Sequence, residues 1–216
     1  MTERLRAIIT HSNSNPNRAS EFFRFRKSLF VDQLGWQLEV SADEERDQFD
    51  TSRAVYALIV RGQKIVGGFR ALRTDGPYLA EHIFPQLAVD RPYPKSIDVW
   101  EISRFGVEPG ADQRRLAQIN YGLMFRFAFY QQARALVAIA DLTYERYLAT
   151  VGIRTKRYGP PTEIPLNGTS EPLAILAGEI PICGQDGARF RRLVSSINAM
   201  EVSDETLAFR HVAVSA

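Results

Sequence analysis

The order of the periodic segments is the feature that most constrains how this chain can fold. Alternating or continuous apolar runs predict strands over 4–10, 53–60, 64–73, 97–107 and 135–140. Apolar residues spaced three or four apart predict helices over 20–34, 112–134 and 142–151. A helix, a hairpin, a strand, a helix, a strand and a helix therefore follow one another. This order favours an α/β fold, a three-layer αβα sandwich with a mixed central sheet.

The length and composition indicate one domain over residues 1–216 that can bury its own core. Hydrophobic residues make up 45% of the 216 residues and charged residues 24%, which excludes a mainly disordered or fibrous chain. The 27 basic residues are nearly matched by 25 acidic ones, so charge does not favour nucleic acid as a partner. Because no run approaches 18 apolar residues, we expect no membrane partner. A single cysteine, Cys183, and a polar start favour a reducing cytoplasm.

Three local features refine this prediction. Either Asn17 or Ser20 can cap the first helix. The polar, acidic stretch 36–51 indicates an ordered loop rather than a regular element. Gly67-Gly68, inside the strand 64–73, suggests a bulge or a close approach of another backbone segment.

Several charged residues interrupt apolar patterns. Arg26 lies four residues from Phe22 and from Phe30, so a helix would place all three on one face. A buried charge is costly unless it is paired, which predicts one desolvated ionic cluster that lines a cleft. The cluster would pair Arg26, Arg70 and Arg104 with Asp47, Asp50 and Glu101.

Two alternatives remain open for these charges. Each charged side chain can instead lie on a solvated face, as Asp47 and Asp50 would in an acidic loop. Glu101 and Arg104 are three apart, so a regular strand points them to opposite faces. They can serve one site only where the strand bulges or the cleft wraps around its end.

Common catalytic motifs are missing from the sequence. It has no Walker A loop, no dinucleotide-binding glycine motif and no nucleophile elbow. His11, His82 and His211 are far apart and lack metal-ligand spacing, so we expect no metal site. The segment 107–115 is similar to the exit of the central strand in acyl-CoA N-acetyltransferases, but the glycines that cradle pyrophosphate are missing.

A set of short motifs, in order and with matching gaps, resembles the acyl-homoserine-lactone synthases, the LuxI-type autoinducer synthases. The resemblance is dense over residues 24–107 and looser through Gly152 and Arg157-Tyr158-Gly159-Pro160. The motifs are Arg26-x3-Phe30, Leu34-Gly35-Trp36, Asp47-Gln-Phe-Asp50, Gly68-Phe-Arg70, Gly76-Pro77-Tyr78, Phe84-Pro85 and Trp100-Glu101-Ile-Ser-Arg104-Phe105.

The resemblance implies an αβα domain related to the N-acetyltransferases, with a cleft in the sheet. It also implies an acyltransferase that joins the amino group of S-adenosylmethionine to an acyl thioester, which is carried by acyl-carrier protein or by coenzyme A. Lactonisation then releases methylthioadenosine and an N-acyl-homoserine lactone, a quorum-sensing signal. Because S-adenosylmethionine is a substrate, no cofactor is expected.

The resemblance assigns a role to each residue of its signature. Glu101 is expected to be the base, because the attacking amine must lose a proton. Arg26 and Arg104 suit the carboxylate of S-adenosylmethionine. Asp47 and Asp50 suit its cationic groups, and Phe30 and Trp36 can stack on its adenine or sulfonium. Backbone N–H groups around 101–106 would stabilise the oxyanion of the thioester. Arg70, Phe84 and Ser103 belong to the framework or to the acyl-donor side.

The acyl chain and its donor are less closely specified. Candidate walls for the acyl chain, each of which can also be ordinary core, are Leu123, Met124, Phe127, Ile139 and Leu142. A basic docking patch for acyl-carrier protein, which is acidic, can form from Arg114, Arg115, Arg154, Lys156 and Arg157. Two other functions stay open: a general acyl-CoA-dependent N-acetyltransferase, and a non-catalytic relative that binds a ligand.

Overall fold

A nine-stranded mixed sheet runs through the computed structural model, which describes residues 4–164, 172–198 and 200–206. The strands are β1 (Leu5–Thr10), β2 (Val40–Ser41), β3 (Glu44–Glu45), β4 (Val55–Arg61), β5 (Lys64–Arg73), β6 (Val99–Val107), β7 (Ala135–Asp141), β8 (Lys156–Arg157), β9 (Thr162–Ile164), β10 (Leu173–Pro181) and β11 (Glu201–Asp204). The sheet has the order β11-β1-β4-β5-β6-β7-β10-β8, β9 also pairs with β10, and β2 and β3 form a separate hairpin. The pairs β1–β11 and β6–β7 are parallel and the others antiparallel.

Helices cover both faces of this sheet. They are α1 (Pro16–Arg26), a π-helix (Lys27–Gln33), α2 (Leu79–Ile83), a 3₁₀ turn (Pro85–Leu87), α3 (Gln113–Tyr130), α4 (Leu142–Thr150) and α5 (Ala188–Ser195). Buried residues of α3, α4 and α5 form one core with one face of the sheet, and α1 and α2 pack on the other face. The predicted three-layer sandwich with a mixed sheet is therefore confirmed.

The first helix begins earlier than predicted. It starts at Pro16, and the Asn15 side chain, rather than that of Asn17 or Ser20, accepts the Arg18 N–H at 3.1 Å. Proline suits the first helical position because its missing N–H has no partner there and its φ angle is already helical. The sequence pattern also missed α5 and β11, since α5 carries three arginines and buries only Phe190 and Leu193.

The hairpin of β4 and β5 carries the bulge that Gly67-Gly68 predicted. Its register shifts between Ile59 and Val60. Gly68 has φ +157°, and a Cβ there would lie 2.6 Å from the carbonyl oxygen of Ala57, so only glycine fits. A second register shift follows between β5 and β6, directly after Gly68. The two irregularities lie in the strands that carry Arg70 and Arg104.

The stretch 36–51 contains a short hairpin that the sequence analysis did not predict. Ala42 and Asp43, at the turn between β2 and β3, have φ angles of +51° and +64°. Two such residues make the tight turn that matches the twist of paired strands. No helix in the described ranges has the length and apolarity needed to cross a membrane.

Candidate active site

An ion-pair cluster of three arginines and three carboxylates lies on the α1 side of the sheet. Five elements contribute to it: the end of α1, β3, the turn after β3, β5 and β6. Its members are Arg26, Arg70, Arg104, Glu45, Asp47 and Asp50. We call these six residues the ion-pair cluster.

Arg26 is the fully buried centre of the cluster. Its Nε donates to Glu45 Oε2 at 2.6 Å, and Nη1 and Nη2 donate to the two carboxylate oxygens of Asp50 at 2.7 and 2.9 Å. Tyr56 donates to the same carboxylate at 3.1 Å. The sequence analysis assigned Arg26 to the substrate carboxylate, but here its guanidinium is engaged by protein carboxylates.

Arg70 and Arg104 complete the cluster from the sheet. Arg70 donates through Nη2 to Asp47 at 3.0 Å and through Nε to Ser103 Oγ at 3.0 Å. Arg104 donates through Nε and Nη2 to Glu45 at 3.0 and 2.9 Å, and through Nη2 to Asp47 at 2.9 Å. Ser103 therefore orients Arg70, and Asp47 links the two arginines.

The predicted charge balance is present, but one predicted partner is wrong. Glu45, which the sequence analysis missed, takes the position assigned to Glu101. It is buried, whereas Asp43, two residues before it, has a side chain that is 70% exposed. Glu45 and Asp47 both accept from Arg104, but Asp47 lies outside β3, so no strand alternation in the sequence marks Glu45.

The cluster holds the carboxylates of Asp50 and Glu45 in the charged form. Burial alone would raise the pKa of Asp50, but the charge of Arg70 and the hydrogen bonds from Arg26 outweigh it and lower that pKa far below its usual range. Burial alone would likewise raise the pKa of Glu45, but the hydrogen bonds from Arg104 and Arg26 outweigh it and leave that pKa lowered. Glu45 and Asp50 are therefore poor proton acceptors near neutral pH.

Glu101 is held by hydrogen bonds from outside the cluster, and its pKa shifts in the opposite direction. Its buried carboxylate accepts the backbone N–H groups of Leu79 at 3.0 Å and Ala80 at 2.6 Å, and so caps the N-terminus of α2. Burial raises the pKa of Glu101 above its ordinary value, although the two N–H groups and the charge of Arg70 oppose this. A carboxylate with a raised pKa is a stronger base than an ordinary carboxylate.

The sheet opens next to Glu101. β6 and β7 pair in parallel only from Val99 and Ala135 to Glu101 and Val137. β6 continues to Val107 and β7 to Asp141 without further pairing between them. We call this divergence the fork. Beyond Glu101 the facing backbone edges of the two strands make no ladder bonds to each other. This geometry is compatible with the expectation that N–H groups around 101–106 face an oxyanion.

A bulge brings Arg104 to the same face of the sheet as Glu101. Gly68 pairs with Gly106 and Arg70 with Ser103, so β6 has one residue more than β5 between these pairs. Arg104 has φ +52°, in the left-handed region. The bulged strand that the sequence analysis required for one common site is therefore present.

Two aromatic residues lie beside the bulge. The rings of Phe30 and Trp36 are stacked with centroids 5.0 Å apart, and 39% of Trp36 is exposed. A Cβ on Gly106 would lie 2.4 Å from Leu29 Cδ2 and 3.2 Å from Phe30 Cζ, so glycine lets the π-helix approach the strand. The stacked pair thus lies against β6, two residues beyond Arg104.

The other predicted residues do not form one wall. Phe84 is half-buried in the core on the α1 side, where its carbonyl accepts the Tyr93 hydroxyl at 3.0 Å. Leu123, Met124 and Phe127 are buried in the α3 core, whereas Ile139 packs on the opposite core and Leu142 begins α4. The structure therefore does not bring the five candidate acyl-chain residues together.

Two cavities in the structure have no residue of the ion-pair cluster in their lining. One of about 270 Å³ is lined by residues of α1, the π-helix and β5, and one of about 630 Å³ lies between the end of α4 and the start of α5. In the described ranges, no group of three His, Cys, Asp or Glu side chains could hold a metal ion. The five residues of the predicted basic patch are exposed, and two of them are paired, Arg154 with Asp186 and Arg157 with Glu145.

Comparison with known proteins places this geometry in context. A family model described as autoinducer synthase matches residues 10–175. An acyl-homoserine-lactone synthase of Acinetobacter nosocomialis is 35% identical over 163 residues, which cover 71% of this chain and 89% of the relative.

Solved structures share the fold of this chain. TofI, in a ternary complex with an inhibitor and MTA, is 29% identical with a TM-score of 0.72, covering 86% of this chain and 96% of TofI. BjaI, described as a CoA-dependent acyl-homoserine lactone synthase with MTA, has a TM-score of 0.80 and covers 93% of each chain. At 23% identity, the likeness to BjaI concerns the fold.

Proposed function

Because this chain belongs to the autoinducer synthase family, we infer that the ion-pair cluster and the fork form the active site for that family's reaction. The chain is an acyltransferase that synthesises an N-acyl-homoserine lactone from S-adenosylmethionine and an acyl thioester. The reaction forms an amide, closes a lactone and releases methylthioadenosine. The roles of individual residues and the carrier of the acyl group are our proposal.

The partial exposure of one ion pair is the observation that carries the proposal. The side chains of Asp47 and Arg104 keep 19% and 9% of their surface exposed, whereas those of Arg26, Arg70 and Glu45 are fully buried. Asp47 therefore binds the amino group of S-adenosylmethionine, and Arg104 binds its carboxylate, which suits the planar guanidinium. The buried members hold this pair in place.

The stacked pair of Phe30 and Trp36 borders the same site. An aromatic face attracts a cation, so the pair suits the sulfonium of S-adenosylmethionine and can stack on its adenine. Trp36 presents the more exposed ring, and buried Phe30 supports it from behind.

Glu101 serves as the general base, directly or through one water. It removes a proton from the substrate ammonium, and the amine nitrogen then attacks the carbonyl carbon of the thioester. The C–N bond forms, the nitrogen gives up a second proton, and this proton neutralises the thiolate that leaves as the C–S bond breaks. N–H groups of β6 at the fork stabilise the oxyanion. The substrate carboxylate next attacks its own γ-carbon, and the bond to the sulfonium breaks to release methylthioadenosine.

Product analysis combined with substitution of Arg104 tests this proposal. Purified protein is incubated with S-adenosylmethionine and a panel of acyl donors, and lactone and methylthioadenosine are measured by mass spectrometry. Arg104→Lys keeps the charge but loses the two-pronged geometry, so we expect about tenfold weaker binding of S-adenosylmethionine. Arg53→Lys, at an exposed ion pair with Asp75, is the matched control. Unchanged binding by the Arg104 variant would refute the assigned role.

We further infer that the acyl group arrives on an acidic carrier protein. Arg114 and Arg115 are exposed at the start of α3, which directly follows β6 of the fork. Exposed arginines at the end of α3 that follows β6 can steer an acidic partner, and α3 lacks the glycine-rich start that would cradle a pyrophosphate. Arg114→Glu with Arg115→Glu should raise the KM for acyl-carrier protein about tenfold or more and leave that for acyl-CoA nearly unchanged. Arg53→Glu, at the opposite end of the sheet, is the control. Faster turnover of acyl-CoA than of the same acyl group on the carrier protein would overturn the inference.

A further inference from the structure

The bulge that positions Arg104 needs support from both faces of the sheet. L-residues rarely adopt a left-handed backbone conformation such as that of Arg104 unless the surrounding structure holds it. On the α1 side, Glu45 and Asp47 hold the guanidinium. These bonds fix the tip of the side chain, but they do not hold the backbone of the bulge.

On the other face, Asn120 of α3 meets this backbone directly. The residue is fully buried, and its Nδ2 donates to the carbonyl oxygens of Gly68 at 3.2 Å and Gly106 at 3.3 Å. These two glycines are the register pair at which the bulge begins. A side chain that lies between two carbonyl oxygens must offer two N–H groups, and among uncharged side chains only the primary amides do so.

The acceptor end of Asn120 strengthens this interpretation. Within the described part of the chain, its Oδ1 has no hydrogen-bond partner. A buried polar atom without a partner is destabilising, so an apolar side chain would serve packing alone better. The donor end therefore accounts for an asparagine at this position.

We propose that Asn120 is a positioning residue for the S-adenosylmethionine site. Its amide holds the carbonyl groups of Gly68 and Gly106, and so keeps the bulge, the left-handed Arg104 and the contact of Gly106 with Phe30 in register. Asn120 acts through the backbone and does not touch the substrate. The link to substrate binding rests on the proposed roles of Arg104 and Phe30, whereas the effect on the bulge does not.

Two measurements on Asn120→Leu test the proposal. The substitution keeps the number and branching of the side-chain heavy atoms and removes both donors, and Asn120→Ala, which adds no volume, serves as a second variant if the first fails to fold. In the free protein, amide hydrogens of residues 102–107 should exchange about tenfold faster or more than in the wild type. The Kd for S-adenosylmethionine should rise by a similar factor. Ile119→Val and Ile119→Ala, at the neighbouring core position of α3, are the controls. Their losses in Tm should lie below and above that of the Asn120 variant, and neither removes a donor.

The outcomes separate the two ideas. Unchanged exchange over 102–107 in both Asn120 variants, or equal acceleration in the Ile119 variants at the same Tm, would overturn the role of Asn120. Faster exchange with unaltered binding of S-adenosylmethionine would refute its link to the substrate. If Arg104→Lys also leaves binding unaltered, the proposed role of Arg104 in substrate binding fails while the structural role of Asn120 stands.

Discussion

Replacement of Glu45 by glutamine is the sharpest test of the ion-pair cluster. Glu45 accepts hydrogen bonds from Arg26 at 2.6 Å and from Arg104 at 3.0 and 2.9 Å, and its side chain is fully buried. Glu45→Gln leaves three arginines against two carboxylates. An uncompensated buried charge costs about 3–5 kcal/mol. At about 2–4 °C per kcal/mol for a chain of this size, Tm should fall by about 6–20 °C.

The assay is thermal and urea unfolding at neutral pH, with Asp43→Asn as the control. Asp43 lies in the same acidic run, is exposed, and has a left-handed backbone that asparagine tolerates, so its replacement should change stability little. Glu45→Gln combined with Arg104→Met restores equal numbers of charges and should recover part of the loss. A Tm for Glu45→Gln within about 2 °C of the wild type, less than 1 kcal/mol on this scale, would show that the cluster is not desolvated and refute the reasoning.

Other predictions follow from the same contacts. Glu101→Gln keeps one acceptor oxygen but turns an amide NH2 toward the other N–H group that caps α2, so the free energy of unfolding should fall by about 1–3 kcal/mol, while kcat falls about 100-fold or more; release of methylthioadenosine measures the rate. Because the pKa of Glu101 is raised, the wild-type rate should increase as pH rises through that pKa, and the pH profile of Glu101→Gln should lack this limb. Trp36→Ala should weaken binding of S-adenosylmethionine more than Trp36→Phe, as titration calorimetry can measure. The pKa of Asp50 is lowered in the folded protein, so its stabilising effect is complete above about pH 5 and is lost as pH falls through the folded pKa; urea unfolding across this range measures the loss, which should be smaller in Asp50→Asn.

The arginines of the cluster could be predicted because each one interrupts an apolar pattern. Arg26 shares the buried face of α1 with Phe22 and Phe23, and the strand pattern marks Arg70 in the same way. Glu45 could not be predicted, because five polar residues in a row from Asp43 to Asp47 carry no apolar pattern to interrupt. A turn with two positive φ angles decides which of them point inward, and alanine is a poor signal for such a turn.

The hydrogen-bond donors to Glu101 could not be predicted from the sequence pattern either. Periodicity assigns a residue to a face of a strand, but it does not identify what packs on that face. The N-terminus of a five-residue helix provides the hydrogen bonds in place of an arginine. The acyl-chain candidates show the same limit, because burial alone could not assign Phe127 and Ile139 to opposite faces of the sheet.

The order of the strands along the chain divides the site into two parts that the ribosome makes at different times. All six members of the ion-pair cluster lie before residue 105, and β1, β4, β5 and β6 are neighbours in the sheet. The fork requires β7, and the outer edge requires β11, which pairs with β1 across about two hundred residues. Since a ribosome delivers the N-terminal part first, we expect the half that binds the charged substrate to assemble while the acyl-donor half is still being translated.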